Sequence, residues 1–571
     1  MYEGPLLKGP FLKEYGSCHT TERRMEMNKK WWKEAVVYQI YWRSFYDTNG
    51  DGFGDLEGVI QKLDYVKSLG IDVIWMNPFY RSPDRDNGYD IADYYQVMEK
   101  AGDMEVFERL VGEIHKRGMK VIMDLVVNHT SDQHPWFIES KTSKENPKRD
   151  WYIWKEPKEG REPNNWRSYF APSAWEWDQA SAQYYFHSFA VEQPDLNWKN
   201  PELRKEIYRM MRFWLDKGID GFRMDVINLL AKQEGFPDAA DPYDISYLAD
   251  NPGIHEYLEE MNREVLQHYD AMTVGEIPFV TPETGLLYVH EDRNELNTLF
   301  HFQVADEMAV WDMCRYKEIQ SAWYNGLKDK GWNSQFLNNH DHTRQVTRYG
   351  NDRGYRVQSS KLLATMIHTL PGTAYIYQGE EIGMTGVRFD SIEDYDDIAM
   401  KNKYAELVEK GGNPQEVFES LLLLSRDNSR TPMQWDDSPE AGFTAGTPWI
   451  KVNPNYKDIN VKKALEDENS VFYYYKKLIS LRKENEVMVY GDYIDWSEGD
   501  EHVYMYTRSY GDVTWLVVLN HSDQTHTAAI PEKFQSLDKR IVIANYPDPQ
   551  SEGDGLSLQP HEARIYELKM G

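Results

Sequence analysis

From Trp31 onward, short β-branched runs alternate with longer amphipathic stretches, and no other feature constrains the fold as strongly. VVYQIY (36–41), IDVIWM (71–76), KVIMDLVV (120–127), IDGFRMDV (219–226), AMTVGE (271–276), LFHFQ (299–303), SQFLNN (334–339) and TAYIY (373–377) read as buried strands. Helix-like stretches such as 104–118, 201–218 and 253–268 separate them. Apolar strands joined by helices make a parallel α/β fold. A closed (β/α)8 barrel and an open doubly wound sheet both satisfy the alternation. Polar residues recur just after the strands, where a barrel carries its active-site loops, and this favours the barrel.

Two excursions interrupt the repeat. A Trp/Tyr/Pro-rich segment between Thr130 and Asn200 is too long for an ordinary βα loop and reads as a small inserted domain after strand three. A second elaboration, 383–440, follows strand eight. Beyond about residue 487 strand-rich sequence with turn residues predicts a separate C-terminal antiparallel β domain. The expected layout is an N-terminal extension (1–30), a catalytic TIM barrel (31–129 and 201–487), an inserted domain (130–200) and the β domain (488–571). Residues 1–26 carry no firm periodicity and read as an extension, or as sequence upstream of a start at Met27.

With 94 Asp and Glu against 64 Lys and Arg, the formal net charge is -30. Such a surface repels a phosphate backbone and offers no basic face to anionic lipid, so neither nucleic acid nor membrane is an expected partner. Cys18 and Cys314 form neither a disulfide framework nor a metal-ligand spacing. Together with the lack of a leader-like apolar start, this places the expectation in the cytoplasm. Oligomeric state is left open, a monomer being compatible.

Three acidic residues end apolar runs: Asp225 in GFRMDV, Glu276 in TVGE and Asp341 in FLNNHD. A buried unpaired carboxylate is expensive, so each alone reads as half of a structural ion pair. Three at corresponding strand ends of a barrel should converge on one mouth, where carboxylates shift one another's pKa and divide acid and base work. Arg223 and His340 stand beside them. HExxH and GxSxG are both absent, so metalloprotease and serine-hydrolase readings have no anchor.

DLVVNH (124–129), GFRMD (221–225), GEIPFV (275–280) and NNHD (338–341) resemble, in order, the four diagnostic motifs of the α-amylase superfamily of glycoside hydrolases, family 13. NGYD (87–90), QPDLNW (193–198), YIYQGEEIGMT (375–385) and RTPMQW (430–435) point to its oligo-1,6-glucosidase/isomaltase/α-glucosidase branch. The resemblance runs from Trp31 to the C-terminus. It implies Asp225 as nucleophile, Glu276 as general acid/base and Asp341 as a third carboxylate gripping sugar hydroxyls. Retaining hydrolysis requires Asp225 ionised, which Arg223 favours, and Glu276 protonated before the first step. The resemblance also implies His129 and His340 as sugar-binding histidines and Tyr89 as the aromatic floor of that sugar. Asp86 and Arg426 become the ion pair that closes the pocket and makes the enzyme exo-acting. Arg430 is a second candidate for that arginine, with spacing favouring Arg426. Phe170, Phe189 and Gln193 match pocket-lining positions. Val226, next to the nucleophile, is associated in this branch with α-1,6 preference, and Thr or Ala with α-1,4.

The function so implied is release of glucose from nonreducing-end α-1,6 bonds of isomaltose and isomaltooligosaccharides, small sugars being the partner. Alternatives are a broader α-glucosidase or transglucosidase, a sucrose-isomerising enzyme, and a trehalose-6-phosphate hydrolase. The arginine-rich loop of sucrose isomerases is lacking in AVWDMCRYKEIQ, and no basic cluster marks a phosphate pocket. Segment 303–325 is shorter than usual in the branch, and DHTR (341–344) replaces its common DQPR; both departures lie where the leaving sugar is chosen. A non-catalytic carbohydrate-binding or scaffold protein on the same barrel would have lost carboxylates that this chain keeps.

DTNGDGFGD (47–55) places Asp47, Asn49, Asp51 and Asp55 at positions one, three, five and nine of a calcium-loop pattern. The Phe53 carbonyl falls at position seven and Gly52 at the sharp turn. Position twelve is Gly58 instead of Glu, so the loop is not an EF-hand. The resemblance makes it a structural Ca²⁺ site on the first βα connection, Mg²⁺ being the alternative ion. No organic cofactor is expected.

Overall fold

The computed structural model describes residues 29–170, 172–308, 310–549 and 555–569. The expected N-terminal extension, except Lys29 and Lys30, lies outside the described residues.

The barrel strands are β1 (Val36–Ile40), β2 (Val73–Met76), β3 (Lys120–Leu125), β4 (Gly221–Met224), β5 (Met272–Glu276), β6 (Thr298–Phe300), β7 (Ser334–Gln335) and β8 (Thr373–Tyr377). They form one parallel sheet in the order β6-β5-β4-β3-β2-β1-β8-β7. A parallel bridge between Leu299 and Asn333 joins β6 to the approach of β7, bringing the two ends of the sheet together. Every strand therefore neighbours the one before it in the chain. The helices lie outside, and the strands bury both faces, which explains their continuous apolar runs.

Local chemistry fixes the connections. Helix Leu56–Leu69 begins where the Asp55 side chain accepts the Gly58 N–H, and stops at Gly70 in the left-handed region. Asp103 and Asn200 cap helices Met104–Lys116 and Pro201–Asp216 in the same way. Gly221 opens β4 with φ 148°, and a Cβ there would lie 1.9 Å from the Met272 carbonyl oxygen. Only glycine lets β4 approach β5 so closely, and the far end of β4 leads into Asp225. The expected strand 334–339 shortens to β7: past Gln335 the chain leaves the ladder, and Asn339 Oδ1 accepts the Asp341 N–H at 2.8 Å. A polar turn thus replaces the strand where side chains must face the mouth.

The excursion after β3 holds helix Pro135–Thr142 and a three-stranded antiparallel sheet built from Trp154–Lys155, Gln183–Phe186 and Trp175–Asp178. After the barrel, a five-stranded antiparallel sheet follows the order Asp492–Asp495, Val503–Tyr510, Val513–Asn520, Ala563–Lys569, Asp538–Ala544. Its period-two pattern sorts two cores: Tyr504, Tyr506, Val517 and Leu519 join the barrel's helical core, while Met505, Leu516 and Val518 face a second layer with Phe534 and Leu558. Buried Lys317, on the barrel helix Met313–Leu327, donates to the Ser497, Asp500 and Val503 carbonyls and ties this sheet to the barrel.

Candidate active site

Asp225 and Glu276 meet on one guanidinium. Asp225 follows β4, its N–H donating to the Leu125 carbonyl at 3.0 Å, and Glu276 is the last residue of β5. Arg223 Nη1 donates to Asp225 Oδ1 at 2.6 Å and to Asp124 Oδ1 at 2.5 Å, while Nη2 pairs with Glu276 Oε1 at 2.8 Å. The other Glu276 oxygen accepts the Val226 N–H at 3.0 Å. Val226 itself has φ 35° and ψ 45°, an unusual backbone for a β-branched residue, and is 8% exposed. The strained turn aims its N–H at the acid/base candidate directly after the candidate nucleophile.

Arg223 is fully charged, yet it does not hold Asp225 low as the sequence suggests. Burial lifts the Asp225 carboxyl well above its ordinary range against the pull of Arg223, and the charges of Glu276 and Asp124 add to the lift. One cation faces three carboxylates, so it cannot neutralise them all.

The third carboxylate lies across a floor of aromatic rings. Tyr89 stacks on His340 with centroids 5.4 Å apart and planes 9° from parallel, and the Arg223 guanidinium sits 5.9 Å from the Tyr89 ring centre. Tyr89 Oη lies 2.7 Å from His340 Nε2 and accepts from Asn77 Nδ2 at 2.9 Å. The Gln39 amide nitrogen faces His340 Nδ1 at 2.9 Å; with Nδ1 accepting, Nε2 carries the proton between Tyr89 Oη at 2.7 Å and Asp341 Oδ2 at 3.0 Å. Burial opposes ionisation of Asp341, but His340, Arg430 and Arg426 together hold its carboxyl well below the usual range.

The far end is closed. Arg426 Nη1 donates to Asp86 Oδ1 at 3.2 Å, the pair expected by spacing, and Arg426 Nε donates to Asp397 Oδ1 at 2.9 Å. Arg430, the other candidate, instead donates to Asp341 Oδ1 at 2.5 Å and to the His340 carbonyl at 3.0 Å. Gln193 Nε2 donates to Asp86 Oδ2 and lies 3.2 Å from His129 Nε2, which also faces the Tyr89 carbonyl. Burial keeps His129 below its ordinary pKa. Phe189 tilts against His129 at 5.1 Å, and Phe170 lies under the Arg426 guanidinium at 5.0 Å. All thirteen expected catalytic and sugar-binding residues thus belong to one connected cluster at the β-strand C-terminal ends.

Sequence reasoning missed Asp124, Gln39, Asn77 and Asp397, and ranked Arg430 second. Asp124 and Gln39 interrupt the apolar runs KVIMDLVV and VVYQIY, the same signal that singled out Asp225. Asp397 lies in EDYDD, indistinguishable in sequence from solvated acidic surface.

The 47–55 loop lies on the β1 connection, away from this cluster. Asp47 Oδ1 accepts the Asn49 and Gly50 N–H groups, and Asn49 and Asp51 each accept the N–H two residues on. Asp55 receives Thr48 on one oxygen and caps the following helix with the other. Among the described residues no group of three or more His, Cys, Asp or Glu side chains is placed to hold a metal. Asp47 Oδ2 also accepts the Gly52 N–H and the Thr444 hydroxyl, which fills that carboxylate, so a cation here would have to draw on the Asn49 amide, the Phe53 carbonyl and the remaining lone pairs of Asp51 and Asp55, or displace one of the bonds to Asp47.

A (β/α)8 barrel with two carboxyl groups on a shared arginine at one mouth, and a polar pocket shut beyond them, defines a glycoside-cleaving enzyme. The alpha-amylase catalytic domain model matches residues 39–491, and the maltogenic amylase C-terminal domain model matches 496–565. The chain is 54% identical to an oligo-1,6-glucosidase of Parageobacillus thermoglucosidasius over 95% of its length and all of the relative's. It is 48% identical to a trehalose-6-phosphate hydrolase of Bacillus subtilis, covering 94% of this chain and 98% of that one. An isomaltulose synthase from Protaminobacter rubrum superposes with a TM-score of 0.92 at 44% identity, covering 95% of this chain and all of that one. The chain belongs to the α-amylase family of glycoside hydrolases, in its oligo-1,6-glucosidase branch. It is an enzyme acting on α-glucosidic linkages.

Proposed function

We propose that the protein is a retaining, exo-acting α-glucosidase that takes glucose from the nonreducing end of short α-glucosides, with α-1,6-linked substrates preferred. The observation that carries the reading is the Arg223 guanidinium shared by Asp225 and Glu276 in front of a pocket shut by Asp86 and Arg426. Glu276 gives its proton to the glycosidic oxygen as Asp225 attacks the anomeric carbon, and the C–O bond to the leaving sugar breaks. The leaving sugar departs with that proton, and glucose remains esterified to Asp225. Glu276, now a carboxylate, takes a proton from water, whose oxygen displaces Asp225. Asp341, held ionised by His340, Arg430 and Arg426, accepts hydrogen bonds from sugar hydroxyls and strengthens them as the ring flattens. The closed end admits one glucose and no longer chain.

Preference for α-1,6 bonds is supported by Val226 and by the oligo-1,6-glucosidases among the relatives. A second reading, transfer of the glucosyl group to a sugar and sucrose isomerisation, is favoured by the isomaltulose synthases among the similar structures. Product analysis on isomaltose, maltose, sucrose, trehalose and trehalose 6-phosphate separates them. Glucose from isomaltose should dominate, and should vanish in Asp225→Asn. Isomaltulose or trehalulose as the main product from sucrose would assign the second reading instead.

The same reading includes a structural divalent ion, Ca²⁺ or Mg²⁺, on Asp47, Asn49, Asp51, Asp55 and the Phe53 carbonyl. An ion bound only by the folded chain raises its stability by mass action. A chelator that leaves the melting temperature and half-life unchanged, with no metal found by elemental analysis, would remove the site.

A further inference from the structure

A second cavity, about 250 Å³ in volume, lies at the other end of the barrel. Its barrel wall is made by residues that precede strands: Lys33 before β1, Asn333 before β7, and Pro371 and Gly372 before β8. These stand at the N-terminal ends of the strands, opposite the mouth that holds Asp225 and Glu276. The facing wall, 489–492 and 509–511, belongs to the C-terminal five-stranded sheet and the chain leading into it. Small-ligand pockets favour such joints between domains. Both walls are fixed. Buried Arg508 donates from Nε to the Gly491 carbonyl at 3.0 Å, and buried Arg482 donates from Nη2 to the Gly372 carbonyl at 2.5 Å.

The lining selects a class of ligand. Trp332, Tyr490 and Tyr510 form a run of half-buried rings, with successive centroids 6.0 Å and 6.2 Å apart. The lysines around them are matched by acids: Lys33 pairs with Glu291 at 2.8 Å, Lys328 with Asp492 at 3.0 Å, and Lys29 with Glu486. With those charges answered, the cavity offers no cationic cluster to a phosphate. Neutral groups remain. Asn333, 8% exposed, uses its oxygen on the Ser334 N–H at 2.9 Å, and its amide nitrogen has no partner among the described residues. Gln335 spends its amide nitrogen on Gln320 Oε1 at 3.2 Å and the Pro371 carbonyl at 2.9 Å, which leaves the Gln335 oxygen and the Gln320 nitrogen over. All three side chains line the cavity, and none of these atoms is sealed from it, so an incoming group can reach them. Aromatic faces beside uncharged donors and acceptors suit a pyranose, whose C–H face packs on a ring while its hydroxyls bond to amides.

We propose that this cavity is a second carbohydrate site that takes one neutral hexose unit, free or at the end of a glucoside. The sugar ring packs on Trp332, Tyr490 and Tyr510, and its hydroxyls bond to Asn333, Gln320 and Gln335. Among the described residues no two carboxyl groups share an arginine there, so the site holds sugar without cleaving it. A sugar so placed touches the barrel and the β domain at once and, bound only by the folded chain, stabilises it by mass action.

The probe is 1-deoxyglucose, a glucose ring with no glycosidic bond to cleave, and its binding is counted by equilibrium dialysis in wild type, Trp332→Ala and Tyr510→Ala. Neither residue belongs to the mouth, so kcat/KM for isomaltose should stay at the wild-type value, which shows that each variant folds. Wild-type protein should bind one equivalent more than each variant, and the rise in melting temperature that the probe gives should shrink in both. Asp341→Asn, which removes a sugar contact at the mouth, should keep the equivalent that Trp332→Ala loses. Equal binding by wild type and by an active variant would overturn the site, as would displacement of that equivalent by inorganic phosphate. Wild-type protein without isomaltose turnover would refute the α-glucosidase reading and leave the dialysis result standing, so the two readings fail separately.

Discussion

Val226→Thr isolates the linkage question because so little else changes. Valine and threonine share a shape, so the left-handed turn and the N–H bond to Glu276 Oε2 at 3.0 Å should persist. What changes is one γ-methyl for a hydroxyl in an apolar cluster with Phe189 and Leu229, against which Tyr169 and Phe170 also pack. Left without a partner, that hydroxyl costs about 1–3 kcal/mol of folding stability. Offered to the leaving sugar, it supplies a donor and an acceptor that valine lacks. An α-1,4 and an α-1,6 glucoside approach Asp225 at different angles, and only one can use the new group well. The ratio of kcat/KM for maltose to that for isomaltose should therefore rise by about 1–3 kcal/mol in relative transition-state binding, roughly five- to 160-fold. Both constants are measured by glucose release under identical conditions, since a packing defect would depress the two together and leave the ratio alone. A ratio unchanged in a well-folded variant would refute the role of Val226 and move linkage choice to the 303–325 segment or His342.

Three further outcomes follow from the geometry. Asp124→Asn removes a charge that lifts the Asp225 carboxyl and frees Arg223 for Asp225, so both effects lower its pKa. Because turnover needs Asp225 ionised, the acid limb of kcat/KM against pH should start above the ordinary carboxylate range in the wild type and move down in the variant; a limb that stays or rises contradicts the assignment. Glu276→Gln keeps the shape but cannot donate a proton, so isomaltose hydrolysis should drop by about 10²–10⁴ while α-glucosyl fluoride, whose leaving group needs little acid, is cleaved with a much smaller loss in the first step. Gly52→Ala should lower stability by more than about 1 kcal/mol, since φ is 92° and the new Cβ would lie 2.0 Å from the Thr447 carbonyl oxygen; an unchanged melting temperature would mean that the 47–55 loop is not pinned against 444–449.

The strands were legible because burial on both faces leaves β-branched runs that no helix or surface loop would use. Several strands are shorter than their runs: IDGFRMDV contracts to Gly221–Met224, LFHFQ to Thr298–Phe300, and SQFLNN to Ser334–Gln335, where two asparagines turn the chain toward the mouth. Asp225, Glu276 and Asp341 stood out for the same reason, each a charge ending an apolar run. Asp124 carries the same mark inside its strand, without the strand-end position that singles out the other three. Asp397 was invisible in the sequence. Asp397 lies among other acids, so composition conceals a buried partner of Arg426.

The pocket carries an excess of carboxylates that its arginines do not cancel. Asp124, Asp225 and Glu276 share Arg223, while Asp86, Asp341 and Asp397 share Arg426 and Arg430. In the resting enzyme this imbalance is costly, and burial pushes Asp225 toward its protonated form. On the proposed retaining mechanism the imbalance is used. An oxocarbenium-like transition state brings positive charge to the anomeric carbon, in front of Asp225. Fixed negative charge in a water-poor site stabilises that charge without reorganising at the moment of reaction. On the proposed mechanism the arginines set where the negative charge stays: Asp341 is pinned ionised to hold the sugar, and Asp225 is left under-compensated at the carbon it would attack. Full neutralisation of Asp225 by a private arginine would give a quieter resting site and a poorer nucleophile. Sharing Arg223 among three acids avoids that outcome, and it explains why one guanidinium with no access to solvent stands at the centre of the barrel mouth.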